Sequence, residues 1–189
     1  PSELEVRFDL RVERNLPVVH NIDVQVAPAH VLVGPLSIEP SHVSIVGPRS
    51  IVDAIEYVTT DTLRLDDVSD DVDREVPLST GADNLWKLGQ PSVRVRADVQ
   101  ILADNYMAGV PVEIRNAGGR RLRADPEFVT VKVRGGVDVV SNLNPQEDLD
   151  LYVNYVPFQE ESYPVLKPEV DVPFEILAIT PSQVNLVSR

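Results

Sequence analysis

The chain repeats itself, and this constrains its fold more than any other feature of the sequence. The stretch "EPSHVSI", from Glu39, returns as "DPEFVTV" from Asp125. "DTLRLDDV" from Asp61 returns as "EDLDLYV" from Glu147, and "QPSVRV" from Gln90 as "TPSQVNL" from Thr180. "FDLRVERNLPV" from Phe8 resembles "ADVQILADN" from Ala97, which is followed by "VPVEI". Four blocks recur in one order, displaced by about 86 to 90 residues, which marks an internal duplication. The 189 residues divide into two units of about 95 residues, each large enough to bury a core. The expected copies are 1–96 and 97–189. The strand closing the first runs into the strand opening the second near residues 92–98, so the copies are expected end to end.

Within each copy the pattern is that of strands. Leu4, Val6, Phe8, Leu10 and Val12 alternate with charged neighbours, and Val93, Val95, Ala97, Val99 and Ile101 alternate with Arg94, Arg96, Asp98 and Gln100. A period of two buries one face and wets the other. Shorter alternations occur at Val43 and Ile45, Leu63 and Leu65, Val129 to Val133, Leu149 to Val153, and Val184 and Leu186. Valine is abundant and sixteen prolines are spread along the chain, which suits short strands and interrupts helices. The class read from this is all-β, with one short helical turn per repeat. In the first copy that turn follows Gly47, with Pro48 at the first helical position and Ile51, Val52 and Ile55 as its apolar stripe. In the second, Val139, Val140 and Leu143 follow Gly135 and Gly136, with weaker helix character.

A net charge of −13 repels phosphate backbones and argues against nucleic acid as a partner. It also repels an anionic bilayer, apart from any local basic patch. The absence of cysteine removes disulfides and thiolate chemistry. No apolar run is long enough to span a bilayer and no signal peptide is visible. The chain starts at Pro1 and its one methionine is Met107, so it reads as a piece of a longer protein.

No catalytic, cofactor or metal residues are assigned. The acidic run "LDDVSDDVDRE" lacks the calcium-loop spacing: counting from Asp66 or Asp67 puts Asp71 or Val72 where that loop needs glycine. His20, His30 and His42 form no helical ligand pair, and no nucleophile elbow, P-loop or dinucleotide fingerprint is present. One cluster stands out. Arg115, Arg120, Arg121 and Arg123 crowd the Gly118–Gly119 pair in "RNAGGRRLRADP". The glycines read as a hairpin turn with the arginines on its wet face. The same residues also form a basic patch suited to lipid phosphates or to an acidic partner surface.

Proline, an alternating strand, "G-P", an apolar helical turn, a "T-L-R-L-D" strand and a final "P-S-V-R-V" strand together resemble the YbbR-like domain. Ser37 to Leu65 with Pro91 to Val95 carry the resemblance best. Arg123 to Val153 with Pro181 to Leu186 repeat it without the Gly-Pro pair. The resemblance implies tandem modules on the outer, extracytoplasmic face of a bacterial cytoplasmic membrane, held there by a membrane helix outside this chain. It implies a non-enzymatic partner of a membrane-bound diadenylate cyclase, a regulator in cyclic di-AMP signalling, and it supplies no functional residues to carry across. A cell-envelope scaffold or adhesion spacer, pairing with a protein through exposed strand edges, is the alternative reading. A small-ligand or carbohydrate-binding domain is weaker still, because Trp86 is the one tryptophan available as a platform.

Overall fold

The structure is a computed structural model in which residues 9–80, 85–157, 162–167 and 172–188 are described. It is all-β, at 63% strand and 6% helix. The chain divides into two compact units: one comprises residues 1–28 and 34–99, the other residues 29–33 and 100–189.

In the first unit, β1 (Arg11–Val19) pairs antiparallel with β4 (His42–Pro48), Leu16 opposite Val43 and Arg14 opposite Ile45. Leu16, Val43 and Ile45 point inward and are buried, as alternation requires. Leu4, Val6 and Phe8 of the predicted opening strand lie outside the described residues. Leu10, expected on the buried face, precedes β1 and is 66% exposed. β2 (Ile22–Val26) lies parallel to β6 (Leu63–Val68), with Ile22 opposite Leu63. β3 (His30–Glu39) pairs with the later strand β9 (Ser92–Arg115). After β4 comes α1 (Arg49–Val52), and β5 (Val58–Thr59) then lies parallel to the end of β1. β7 (Val72–Pro77) pairs antiparallel with the start of β9, and β8 (Lys87–Leu88) pairs with β4. The core gathers Leu16, Val43, Ile45, Val52, Val58, Val76, Leu78, Val93 and Val95.

The second unit repeats these pairings. The later part of β9 pairs antiparallel with β11 (Phe128–Gly136), as β1 does with β4. The end of β9 lies parallel to β12 (Leu151–Asn154), as β2 does to β6. β14 (Phe174–Thr180) takes the place of β8 beside β11. β15 (Gln183–Ser188) pairs with β10 (Leu122–Asp125) and β13 (Tyr163–Pro164), as the start of β9 pairs with β3 and β7. The Glu39–Pro40 and Asp125–Pro126 bonds, at matching places, are both cis. Val110, Val131, Val133, Val140, Leu151, Val153 and Val184 form the centre of this second core.

Three details depart from the sequence reading. Pro48 is the residue before α1, not its first residue; its φ and ψ of −59° and 136° match the −58° and 140° of Gly136, which precedes the second helix, α2 (Val137–Asn142). A Gly-Pro and a Gly-Gly pair thus build the same extended step. α2 has six residues to the four of α1, so the second turn is the longer helix, not the weaker. Ile101, expected on the buried face of β9, is 58% exposed. Further along β9 the inward phase changes, because Val131 lies opposite Met107 but Val129 opposite Val110. This bulge holds Gly109 at φ 76°, a conformation that glycine adopts without strain.

The glycine ending β4 has a steric cause. A Cβ on Gly47 would lie 2.8 Å from the Cβ of Trp86 and 3.1 Å from the Leu85 carbonyl oxygen. At the matching place a Cβ on Gly135 would lie 3.1 Å from the Cβ of Phe174 and from the Pro173 carbonyl oxygen. In each unit an aromatic residue crosses directly over the glycine, and Trp86 and Phe174 are both half-buried against their cores. Trp86 is thereby a packing residue.

Candidate interaction surface

The two helices are held from below by polar side chains at matching inward positions. Arg14, opposite Ile45 on β1, donates from Nη1 to the carbonyl oxygens of Val52, Asp53 and Ile55 at 3.0, 3.2 and 3.3 Å. Asn105, opposite Val133 on β9, donates from Nδ2 to the Val140 carbonyl oxygen at 2.8 Å. Carbonyls at a helix C-terminus lack intrahelical partners, and these donors satisfy them.

The outer faces of the sheets carry cross-strand charge clusters. Asp104 receives Arg134 Nε at 2.6 Å and Lys132 Nζ at 2.7 Å, and hydrogen bonds from Arg134 and then Lys132 hold its carboxyl well below the usual range. Asp73 is lowered in the same way, first by the Arg94 hydrogen bond, with Arg96 3.7 Å away. Such exposed pairs favour the observed strand register more than they add stability.

The acidic run forms the end of β6, the turn after it and the start of β7. Several of its carboxylates are already engaged: Asp71 Oδ1 accepts the Val99 amide at 2.9 Å, Asp66 meets Arg64 at 3.3 Å, and Asp73 meets Arg94. Among the described residues no group of three or more His, Asp or Glu stands ready to hold a metal ion. His20 and His42 are exposed and His30 is half-buried.

The four arginines lie at and beside the turn between β9 and β10. They do not sit on a hairpin, because the strands on either side of the glycine turn are not partners. The last residues of β9 pair with β12, whereas β10 pairs with β15, so the turn carries the chain from one sheet to another. Asn116, Gly118 and Gly119 take φ of 63°, 60° and 81° to make this corner, and nothing lies within 4 Å of a Cβ built on either glycine. The turn is a projecting tip.

Two arginines are ordered on tyrosines, one in β12 and one just after it. The Arg115 guanidinium lies 3.8 Å from the centre of the Tyr152 ring, within cation–π range. Arg120 donates from Nη1 to the Tyr155 hydroxyl at 2.7 Å and lies 5.5 Å from that ring. Tyr155 in turn stacks on Tyr163, with centroids 6.4 Å apart, and its amide donates to the Arg115 carbonyl oxygen. Arg121 and Arg123 are exposed. Glu113 and Asp125 border the cluster, yet among the described residues no carboxylate forms an ion pair with any of the four. The tyrosines are the component that sequence reading missed. Their only signal was the "LYVNYV" alternation, and the parallel pairing of β12 with β9 brings them to the arginines.

At the corresponding end of the first unit the turn after β2 is Ala27, Pro28 and Ala29, and beside it the end of β6 and the turn that follows carry Asp66, Asp67, Asp70 and Asp71.

Among the described residues no helix is long and apolar enough to cross a membrane. Residues 16–97 match the family model described as YbbR-like protein. The chain is similar to the CdaA regulatory protein CdaR of Bacillus subtilis (strain 168), at 23% identity over 152 residues, covering 77% of this chain and 30% of that protein. The chain therefore spans under a third of the length of the curated relative it matches. A solved YbbR-like protein from Streptococcus pneumoniae TIGR4 aligns over the whole of both chains at 12% identity with a TM-score of 0.36. The matched segment runs from the buried Leu16 of β1 to Ala97 of β9, through the Gly47 step and α1, and residues 16–97 of this chain form a YbbR-like domain.

Proposed function

We propose that this chain is a non-catalytic regulatory module of a membrane-associated bacterial protein, and that it binds a diadenylate cyclase and biases its activity. The observation that carries the reading is the match, over most of this chain, to a relative named as a regulatory protein of CdaA. The module plan of 1–96 and 97–189 belongs to the same proposal, the second copy being supported by the matching strand pairings and helix steps. The placement is the extracytoplasmic face of the membrane. Regulation acts by differential affinity: the module binds one arrangement of the cyclase better than another and shifts the population toward it.

Co-purification tests the binding directly. Full-length protein, extracted with mild detergent from membranes that contain the cyclase, retains the cyclase. The same protein lacking residues 1–189 loses it. Equal recovery by both forms contradicts the reading. A scaffold role draws support from β14, which among the described residues pairs only with β11 and presents Leu177 at a bulge. Capture of a different envelope protein, lost on placing proline in β14, favours that second reading.

A further inference from the structure

We propose that the Arg115–Arg123 tip of the second unit docks on an anionic phospholipid surface and orients the chain against it. The proposal is independent of which protein the module regulates. Four arginines fall within residues 115–123, and no acidic side chain interrupts them there. Two are held in place by Tyr152 and Tyr155, so less side-chain freedom is lost on contact. The rest of the chain is strongly acidic. The net charge therefore repels an anionic surface while this turn attracts it, which makes the docking directional.

The shape and composition of the tip favour a lipid surface over an acidic polypeptide. The space around Gly118 and Gly119 is open, so this turn projects, and the groove that Arg123 lines is shared with Glu127, whose carboxylate repels an acidic segment. Beside them are tyrosines and the exposed Val156. Basic residues with tyrosine and a small apolar side chain match the layered polarity of a headgroup region, where amphipathic rings and guanidiniums both settle.

The test is sedimentation of the purified chain with vesicles of phosphatidylcholine alone and of phosphatidylcholine with phosphatidylglycerol, at low ionic strength. The chain partitions onto the anionic vesicles only, and added salt releases it because screening shortens the reach of the charges. R120A/R121A lowers the partition coefficient about thirtyfold, as expected for about 1 kcal/mol per guanidinium near the surface. R49A/R64A, which changes net charge equally in the first unit, leaves it unchanged. Thermal unfolding of each variant checks the fold, and R121A/R123A replaces R120A/R121A should loss of the Tyr155 contact disturb it. No binding to anionic vesicles overturns the proposal, and so does an equal loss in R49A/R64A. Capture by polyglutamate without vesicle binding also overturns it and assigns the tip to an acidic protein.

Discussion

Arg14 and Asn105 share no chemistry beyond a hydrogen-bond donor, yet they stand at the same place in the two units and serve the same helix end. Pro48 and Gly136 form a second such pair, identical in backbone and different in side chain. Trp86 and Phe174, each crossing its glycine, are a third. What the two units hold in common is therefore a set of backbone requirements: an extended step into a helix, a close approach over a glycine, and a donor beneath the helix C-terminus. The ends differ because nothing in the core depends on them. The chain after β6 is acidic, while the turn after β9 is arginine-rich.

The largest expected effect breaks the glycine pair. Gly47→Ala forces a methyl group against the Cβ and backbone of Trp86, which cannot move without moving the chain. The loss should approach about 3 kcal/mol, the upper end for overpacking. Gly135→Ala meets its neighbours at 3.1 Å instead of 2.8 Å and should cost about 1 kcal/mol. Denaturant melts of both variants measure the ordering, and equal costs contradict the steric account.

The helix-end donors come next. Arg14→Ala removes three charge-assisted contacts and should cost about 2 kcal/mol, whereas Asn105→Ala removes two neutral hydrogen bonds, to the Val140 carbonyl and from the Tyr106 amide, for about 1 kcal/mol. Arg14→Gln, which keeps a donor, should recover part of the loss. No recovery in that variant assigns the effect to lost packing of the arginine stem.

The smallest effect concerns charge on the outer face. Asp104 has a folded-state pKa depressed by Arg134 and Lys132. Its contribution is therefore complete above the ordinary aspartate value of about 3.9 and disappears as pH falls through the depressed value. Between roughly pH 5 and the acid limit, stability of the wild type should fall more steeply than that of Asp104→Asn. Parallel slopes in an acid titration followed by circular dichroism contradict this assignment.

Much of the architecture was legible as alternation. The runs at Val43–Ile45, Val93–Val99 and Val129–Val133 place their buried faces as the period of two requires. What alternation cannot express is a change of phase or of partner. The Gly109 bulge reverses the inward face of β9 with a single glycine as its local sign. The Gly118–Gly119 turn has the composition of a hairpin, but tertiary pairing sends its two arms to different sheets. Arg14 reads as an ordinary surface arginine until α1 lies over it. The arginines of the candidate surface were visible as composition. Tyr152 and Tyr155 were not, because their position depends on a parallel pairing between strands far apart in sequence.

The central claim is regulation of a diadenylate cyclase, and the most direct measurement is cyclic di-AMP produced by membranes containing the cyclase. It is made with the full-length protein, with the same protein lacking residues 1–189, and with neither. The account predicts a severalfold change in cyclic di-AMP with the intact protein and a return to the protein-free level on deletion. Equal cyclic di-AMP in all three preparations contradicts it.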